Sequence, residues 1–184
     1  MSNSSDHLLY GQDGYIARIV LNRPDSFNAF SVPLIRNWAK MLQKAQGDPS
    51  VRVVVITANG KNFCAGGDTK TILAGKGFIA DDEKYECWGE KAIQKKAALS
   101  DHIHKIAFTL EGMDKPVICG INGAAVGAGL DMALMCDVRI AADDAKLSTG
   151  YVKVGLVPGD GGAFWMTRLV GVSRAMELLW TGDF

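Results

Sequence analysis

Two glycine-rich stretches hold the residues of this sequence that could do chemistry. The first is Phe63-Cys64-Ala65-Gly66-Gly67-Asp68, and the second is Asn122-Gly123-Ala124-Ala125-Val126-Gly127-Ala128-Gly129. Each follows a short apolar run and precedes an expected helix start. Small residues let the main chain approach a ligand closely, and a helix start offers N–H groups without intrahelical partners. If the loops converge, two backbone N–H groups could point at one oxygen. That arrangement is an oxyanion hole, which needs small residues rather than particular side chains. Either loop alone reads equally well as a tight turn required by close packing.

Two acids accompany the loops. Asp131 lies three residues after Ala128, and on a helix these positions share a face. The run Leu130 to Cys136 is otherwise apolar on all sides, which predicts burial. A buried carboxylate is costly unless paired, and its pKa rises toward a range useful for proton transfer. An acid that complements a helix N-terminus is the alternative reading. Asp160 stands in Pro158-Gly159-Asp160-Gly161-Gly162, where turn chemistry competes with function.

Other chemistries find less support. His7, His102 and His104 lie far from both loops in sequence, and the two-residue spacing of His102 and His104 points them to different helix faces. No metal site is expected. The sequence has no G-x-S-x-G and no P-loop. A dinucleotide fingerprint fails because Gly127-Ala128-Gly129 is followed by Met132, where glycine or alanine is needed.

The elements that must position these residues are legible in outline. Tyr15–Leu21 and Val51–Thr57 are rich in β-branched residues and read as strands. The second is nearly continuous, which suits a strand covered on both faces. Between them Ser31 reads as an N-cap, with Pro33 in the first turn of a helix to about Gln46. A further helix is expected to start near Asp68, 75–82 is expected to be irregular, and Glu83–Leu110 reads as a long helix. Val117–Ile121 is a strand, the loop runs from Asn122 to Gly129, and Leu130–Cys136 is helical. Strands at Val138–Ala142 and Lys146–Ser148 follow. The loop Gly150–Gly162 leads to helices at Ala163–Val170 and Ser173–Leu179. Strand, glycine loop and helix thus occur twice, at 51–75 and at 117–136.

The chain has 184 residues, 48% of them hydrophobic and 22% charged, with 20 basic and 20 acidic residues. This suits one α/β domain with a substantial core, over residues 1–184. Zero net charge argues against a nucleic-acid surface. Cys64, Cys87, Cys119 and Cys136 form no CxxC pair and read as free thiols of a reducing compartment. The polar N-terminus carries no apolar signal segment. No apolar run approaches the about 18 residues of a membrane helix. A cytoplasmic protein is the expectation.

A specific set of motifs, in order, covers about residues 12 to 184. They are Leu21-Asn22-Arg23-Pro24 with Asn28-Ala29, Phe63 to Asp68, and Lys115-Pro116-Val117 with Asn122-Gly123. Then come Gly127-Ala128-Gly129-Leu130-Asp131, Met135-Cys136-Asp137 and Gly155-Leu156-Val157-Pro158-Gly159. In these the chain resembles the crotonase superfamily, the enoyl-CoA hydratase/isomerase family. The resemblance implies a spiral of ββα units and a homotrimer or dimer of trimers. It implies an acyl-CoA substrate whose thioester oxygen sits between the N–H groups of Gly67 and Ala128, which stabilise an enolate. Coenzyme A enters as part of the substrate, with no other cofactor, and Ala29, Ala65, Asp68 and Lys70 would line its site. Asp131 matches the position of the first of two hydratase glutamates, one methylene shorter. Tyr151 stands at the second, and a phenol that ordinarily titrates near about 10 cannot serve as a carboxylate base. Asp160 lies one residue from where some members hold a further catalytic aspartate. The resemblance also implies more helices after Thr181-Gly182-Asp183, completing the acyl pocket. The expected activity is that of an enoyl-CoA hydratase or isomerase. The alternatives are another reaction of the family (dienoyl-CoA isomerase, dihydroxynaphthoyl-CoA synthase or acyl-CoA hydrolase) and a non-catalytic acyl-CoA-binding protein.

Overall fold

The computed structural model describes residues 7–68, 70 and 91–184. Its frame is a five-stranded sheet of order β1-β2-β3-β4-β6. The strands are β1 (Leu8–Asp13), β2 (Ile16–Leu21), β3 (Val53–Ala58), β4 (Val117–Ile121) and β6 (Val138–Ala141). β1 and β2 pair antiparallel, and all other neighbours in the sheet are parallel. A separate parallel ribbon joins β5 (Ala125–Val126) to β7 (Leu147–Ser148).

β1 escapes a reading by composition. Gly11, Gln12 and Asp13 carry no strand signal of their own. The strand forms at the sheet edge because its main chain pairs with β2 along the register Leu8↔Leu21 to Asp13↔Ile16. Edge strands draw their stability from such pairing more than from propensity.

The first helix is as expected. α1 (Val32–Gly47) is capped by Ser31, whose Oγ accepts from the Leu34 amide at 3.3 Å. Its stripe of Leu34, Ile35, Trp38, Ala39, Leu42 and Ala45 is buried against the sheet. Trp38 meets Phe30 edge to face at 6.0 Å. β3 departs from the expectation of cover on both faces. Val54 and Ile56 are buried, while Val53, Val55 and Thr57 are half-buried. Among the described residues, the helices pack one face of this strand more completely than the other.

The described part of the long expected helix is broken in the middle. α2 (Lys91–Ala98) passes through one π-helical segment, Leu99–Ile103, into α3 (His104–Glu111). A π turn inserts a residue and rotates the downstream face. It leaves Ile103, Ile106 and Leu110 buried while bringing His104 over the loop before Asp160. The expected helix after Asp68, the irregular stretch 75–82, residues 83–90 and Cys87 lie outside the described residues, apart from a helical Lys70.

α4 (Ala128–Leu134) starts two residues earlier than its apolar run predicts, because glycine and alanine carry no hydrophobic period to read. α5 (Gly162–Val170) and α6 (Val172–Thr181) are the last two helices, joined at Gly171 as expected. The loop between β7 and α5 contains an unexpected 3-10 turn at Tyr151–Val154. Cys64, Cys119 and Cys136 are buried free thiols, and burial pushes the Cys64 thiol up to about 12.

Candidate active site

The two glycine loops converge. The loop after β3 and the loop after β4 meet in an isolated parallel bridge, Cys64↔Ala125. The amides of Phe63 and Cys64 donate to Ala124 O at 3.0 and 3.1 Å, and the Val126 amide donates to Cys64 O at 2.9 Å. This stitching explains the small residues. A Cβ on Gly66 would lie 2.6 Å from Val126 O and 3.1 Å from the Ala128 amide, and its φ is +75°. A Cβ on Gly129 would lie 2.4 Å from Cys64 O. Both positions therefore accept only glycine without a shift of main chain.

Gly67 and Ala128 follow directly from that contact. Among the described residues, neither amide has a hydrogen-bond partner. Ala128 is the first residue of α4, where no intrahelical acceptor exists. Both residues line a single cavity of about 140 Å³, with Ala65, Val126, Tyr151 and Asp160 among its other walls. α4 has only seven residues, so these donors act through the N–H groups themselves far more than through a macrodipole.

The acids also converge, in an order that sequence spacing could not show. Asp131 is 1% exposed and is not a wall of the cavity, whereas Asp160 and Tyr151 are. Tyr151 Oη stands between the two, 2.7 Å from Asp131 Oδ2 and 3.0 Å from Asp160 Oδ2. The Gly162 amide, at the start of α5, also donates to Asp131 Oδ2, at 3.1 Å. The remaining Oδ1 atoms of Asp131 and Asp160 are buried without a partner among the described residues. His104 from α3 holds this loop through its Nε2, 2.9 Å from Gly159 O.

Burial dominates the electrostatics of the cluster. Desolvation pushes the Asp131 carboxyl up to about 7, the nearby Asp160 adds to the rise, and the bonds from Tyr151 and Gly162 oppose it. Desolvation raises Asp160 as well, against the Tyr151 bond and the attraction of His104. The Tyr151 hydroxyl is also pushed up, by burial first and then by the two carboxylates, so it remains a protonated donor.

The Asp131 shift has a consequence for stability. An unfolded aspartate titrates near 3.8, whereas the folded one holds its proton to about 7. Between these values the folded state binds more protons, so stability falls as pH rises, by at most about 1.4 kcal/mol per pH unit from this group. Melting curves from about pH 4 to about pH 7 are expected to show this decline. Asp131→Asn should flatten it, and an unaltered slope in that variant would remove Asp131 as its source.

The residues expected at the coenzyme end divide into two groups. Ala65 lines the cavity with Gly67 and Ala128. Ala29 and Asp68 are drawn together by Arg23, whose Nη1 donates to Ala29 O at 2.5 Å and whose Nη2 is 3.9 Å from Asp68 Oδ2. The Lys70 amide donates to Asp68 Oδ1 at 3.2 Å, and its side chain is exposed. Arg23 and Gly162 are the residues that sequence reasoning passed over. Arg23 sat within a recognised motif without a role. Gly162 carried no signal beyond a glycine doublet, yet a Cβ there would lie 2.1 Å from Asp131 Oδ1.

Comparison with known proteins places the chain in a family. Residues 11–184 match the family model described as Enoyl-CoA hydratase/isomerase. The chain is 34% identical over 176 residues to the trans-2-decenoyl-acyl-carrier-protein isomerase of Streptococcus mutans serotype c, covering 96% of this chain and 62% of that protein. The crystal structure of an enoyl-CoA hydratase/isomerase from Mycobacterium paratuberculosis is similar with a TM-score of 0.82 at 30% identity, covering 97% of this chain and 66% of that one. The enoyl-CoA hydratase of Bacillus anthracis gives a TM-score of 0.81 at 32% identity, covering 96% and 63%. The chain thus spans about 62% of the length of that Streptococcus relative. A match running from residue 11 to residue 184, on a sheet that brings two glycine loops to one cavity, leaves one conclusion: the chain belongs to the enoyl-CoA hydratase/isomerase family and has the crotonase fold.

Proposed function

We propose that this protein is an enzyme that moves a proton on an enoyl thioester of coenzyme A, with double-bond isomerisation as the outcome. The thioester oxygen would accept from the amides of Gly67 and Ala128, which favour the enolate over the ground-state carbonyl. Asp160 would act as the base, with Asp131 behind it. The coenzyme would extend past Ala65 toward Ala29, Asp68 and Lys70. Assembly as a homotrimer or a dimer of trimers, in the cytoplasm, belongs to the same proposal.

One observation carries the choice of reaction. Among the described residues, the cavity wall that holds both amides carries one carboxyl, Asp160, while Asp131 lies behind Tyr151. Adding water to a double bond is best served by two carboxyls, one orienting the water and one protonating carbon. Shifting a double bond requires one base, which removes a proton from one carbon and returns it to another. The isomerase named for the Streptococcus relative is consistent with the second pattern.

The test is a panel of 2-enoyl, 3-enoyl and 3-hydroxyacyl thioesters, each carried on coenzyme A and on an acyl carrier protein. Interconversion of the 2- and 3-enoyl esters, faster than formation of the 3-hydroxy ester, is the expected result. Dominant hydration would overturn the isomerase choice. Binding without turnover of any ester would favour a non-catalytic thioester-binding protein, a reading to which the concealment of Asp131 lends support.

A further inference from the structure

The three buried oxygens around Tyr151 do not have enough protons if both carboxyls are ionised. A phenol has one proton to donate. It can serve Asp131 Oδ2 at 2.7 Å or Asp160 Oδ2 at 3.0 Å, and the other short contact then needs a proton of its own. Two ionised carboxylates facing one hydroxyl in a buried site would also repel each other. The cluster is therefore satisfied when it holds one proton beyond the phenol's, and this proton has two resting places.

We infer that Tyr151 is a positioning residue that relays a proton between Asp160 in the cavity wall and the concealed Asp131, so that the negative charge of the pair moves between them. This deepens the proton-transfer reading above and rests on it. In one arrangement Asp131 is ionised, receiving the Tyr151 O–H and the Gly162 N–H, while protonated Asp160 donates to Tyr151 Oη. The second arrangement follows from one concerted shift. The Asp160 O–H and Tyr151 O–H bonds break, and new O–H bonds form at Tyr151 and Asp131 Oδ2. No tyrosinate forms, and the net charge does not change. Asp160 is then the ionised group, at the cavity, ready to take a proton from substrate carbon as the C–H pair delocalises onto the thioester oxygen.

The surroundings suit this role. Asp131 has a second donor in Gly162, at 3.1 Å, which supports its ionised form in the first arrangement. Asp160 has Tyr151 and faces His104 across the loop that His104 anchors. These are the titratable groups that bear on the trio among the described residues. Gly162 must lack a side chain for the trio to close, since its Cβ would lie 2.1 Å from Asp131 Oδ1. Tyr151 itself is held by its own main chain, with its amide 2.7 Å from Thr149 O and its carbonyl accepting from the Leu156 amide at 3.0 Å.

A double-mutant cycle with Tyr151→Phe and Asp131→Asn tests the relay. Y151F keeps the ring and removes the hydroxyl. It is expected to lower kcat by roughly ten-fold or more with KM nearly unchanged, and to move the ascending limb of the pH–rate profile. D131N should cost roughly ten-fold in the otherwise native protein and very little in the Y151F background, because Asp131 acts only through the hydroxyl. Equal costs in both backgrounds, or a Y151F protein with the native pH profile, would overturn the relay. A second readout needs no substrate. The infrared C=O stretch of a protonated carboxyl should be present in the resting protein at neutral pH, should disappear or shift in D131N or D160N, and should titrate differently in Y151F. If no thioester is turned over, the functional reading falls while this signal still judges the relay. An infrared titration unchanged by Y151F overturns the relay on its own.

Discussion

Asp160→Asn is expected to lower turnover of an enoyl thioester by roughly 10²- to 10⁴-fold, the range a positioned general base contributes, while leaving ester affinity nearly unchanged. Among the described residues, Asp160 is the carboxyl in the wall shared with Gly67 and Ala128. Asparagine has almost the same shape and keeps an oxygen that can accept from Tyr151, so the loop anchored by His104 and Gly159 O should survive. What it cannot do is take a proton from carbon. Steady-state kinetics of the ester that turns over best, with a direct binding measurement alongside, separates the two effects. A variant with native kcat would remove Asp160 from the chemistry and return the role of base to Asp131. A variant that loses binding in proportion to rate would make Asp160 a substrate contact rather than a base.

Gly66→Ala is expected to reduce turnover by about 10²- to 10³-fold, as loss of an oxyanion donor does, and to lower the melting temperature as well. The physical argument is steric. At φ +75° an alanine sits in the left-handed region, at a cost of roughly 1–2 kcal/mol. Its methyl would also lie 2.6 Å from Val126 O. That neighbour is main chain within the Cys64↔Ala125 stitch, so it cannot move aside as a flexible side chain would. The two loops must separate, which pulls the Gly67 and Ala128 amides apart. Gly11→Ala is the control, since a Cβ there meets nothing within 4 Å and should change neither quantity. Native turnover in the Gly66→Ala protein would disprove the paired-amide role of these loops.

Much of this arrangement is legible in residue types alone. The α1 stripe from Leu34 to Ala45 follows the helical period, and Ser31 with Pro33 marks its start. The β2, β3 and β4 strands lie within two residues of where β-branched runs place them. The glycine loops are visible because close main-chain approach leaves a local signature in residue type. The misses have a common cause. β1 forms through pairing with β2, the π segment at Leu99–Ile103 interrupts a helix with no proline or glycine to announce it, and α4 begins among residues too small to carry a period. Each depends on partners distant in sequence or on features that hydrophobic patterning does not encode.

Residue types and their order are enough to reveal two small-residue loops and two acids, and their resemblance to a known family. Which acid reaches the cavity was decided only by tertiary structure. Asp131 and Asp160 are 29 positions apart by their residue numbers, and Tyr151 lies between them on a short 3-10 turn. The sequence left Tyr151 as a replacement for an expected acid. The fold makes it the contact between both, because the α4 and α5 starts pack closely enough for the Gly162 amide to reach Asp131. Residue type and local period can state what chemistry a chain has to offer. Burial and long-range packing set which group lines the cavity and which stands behind it.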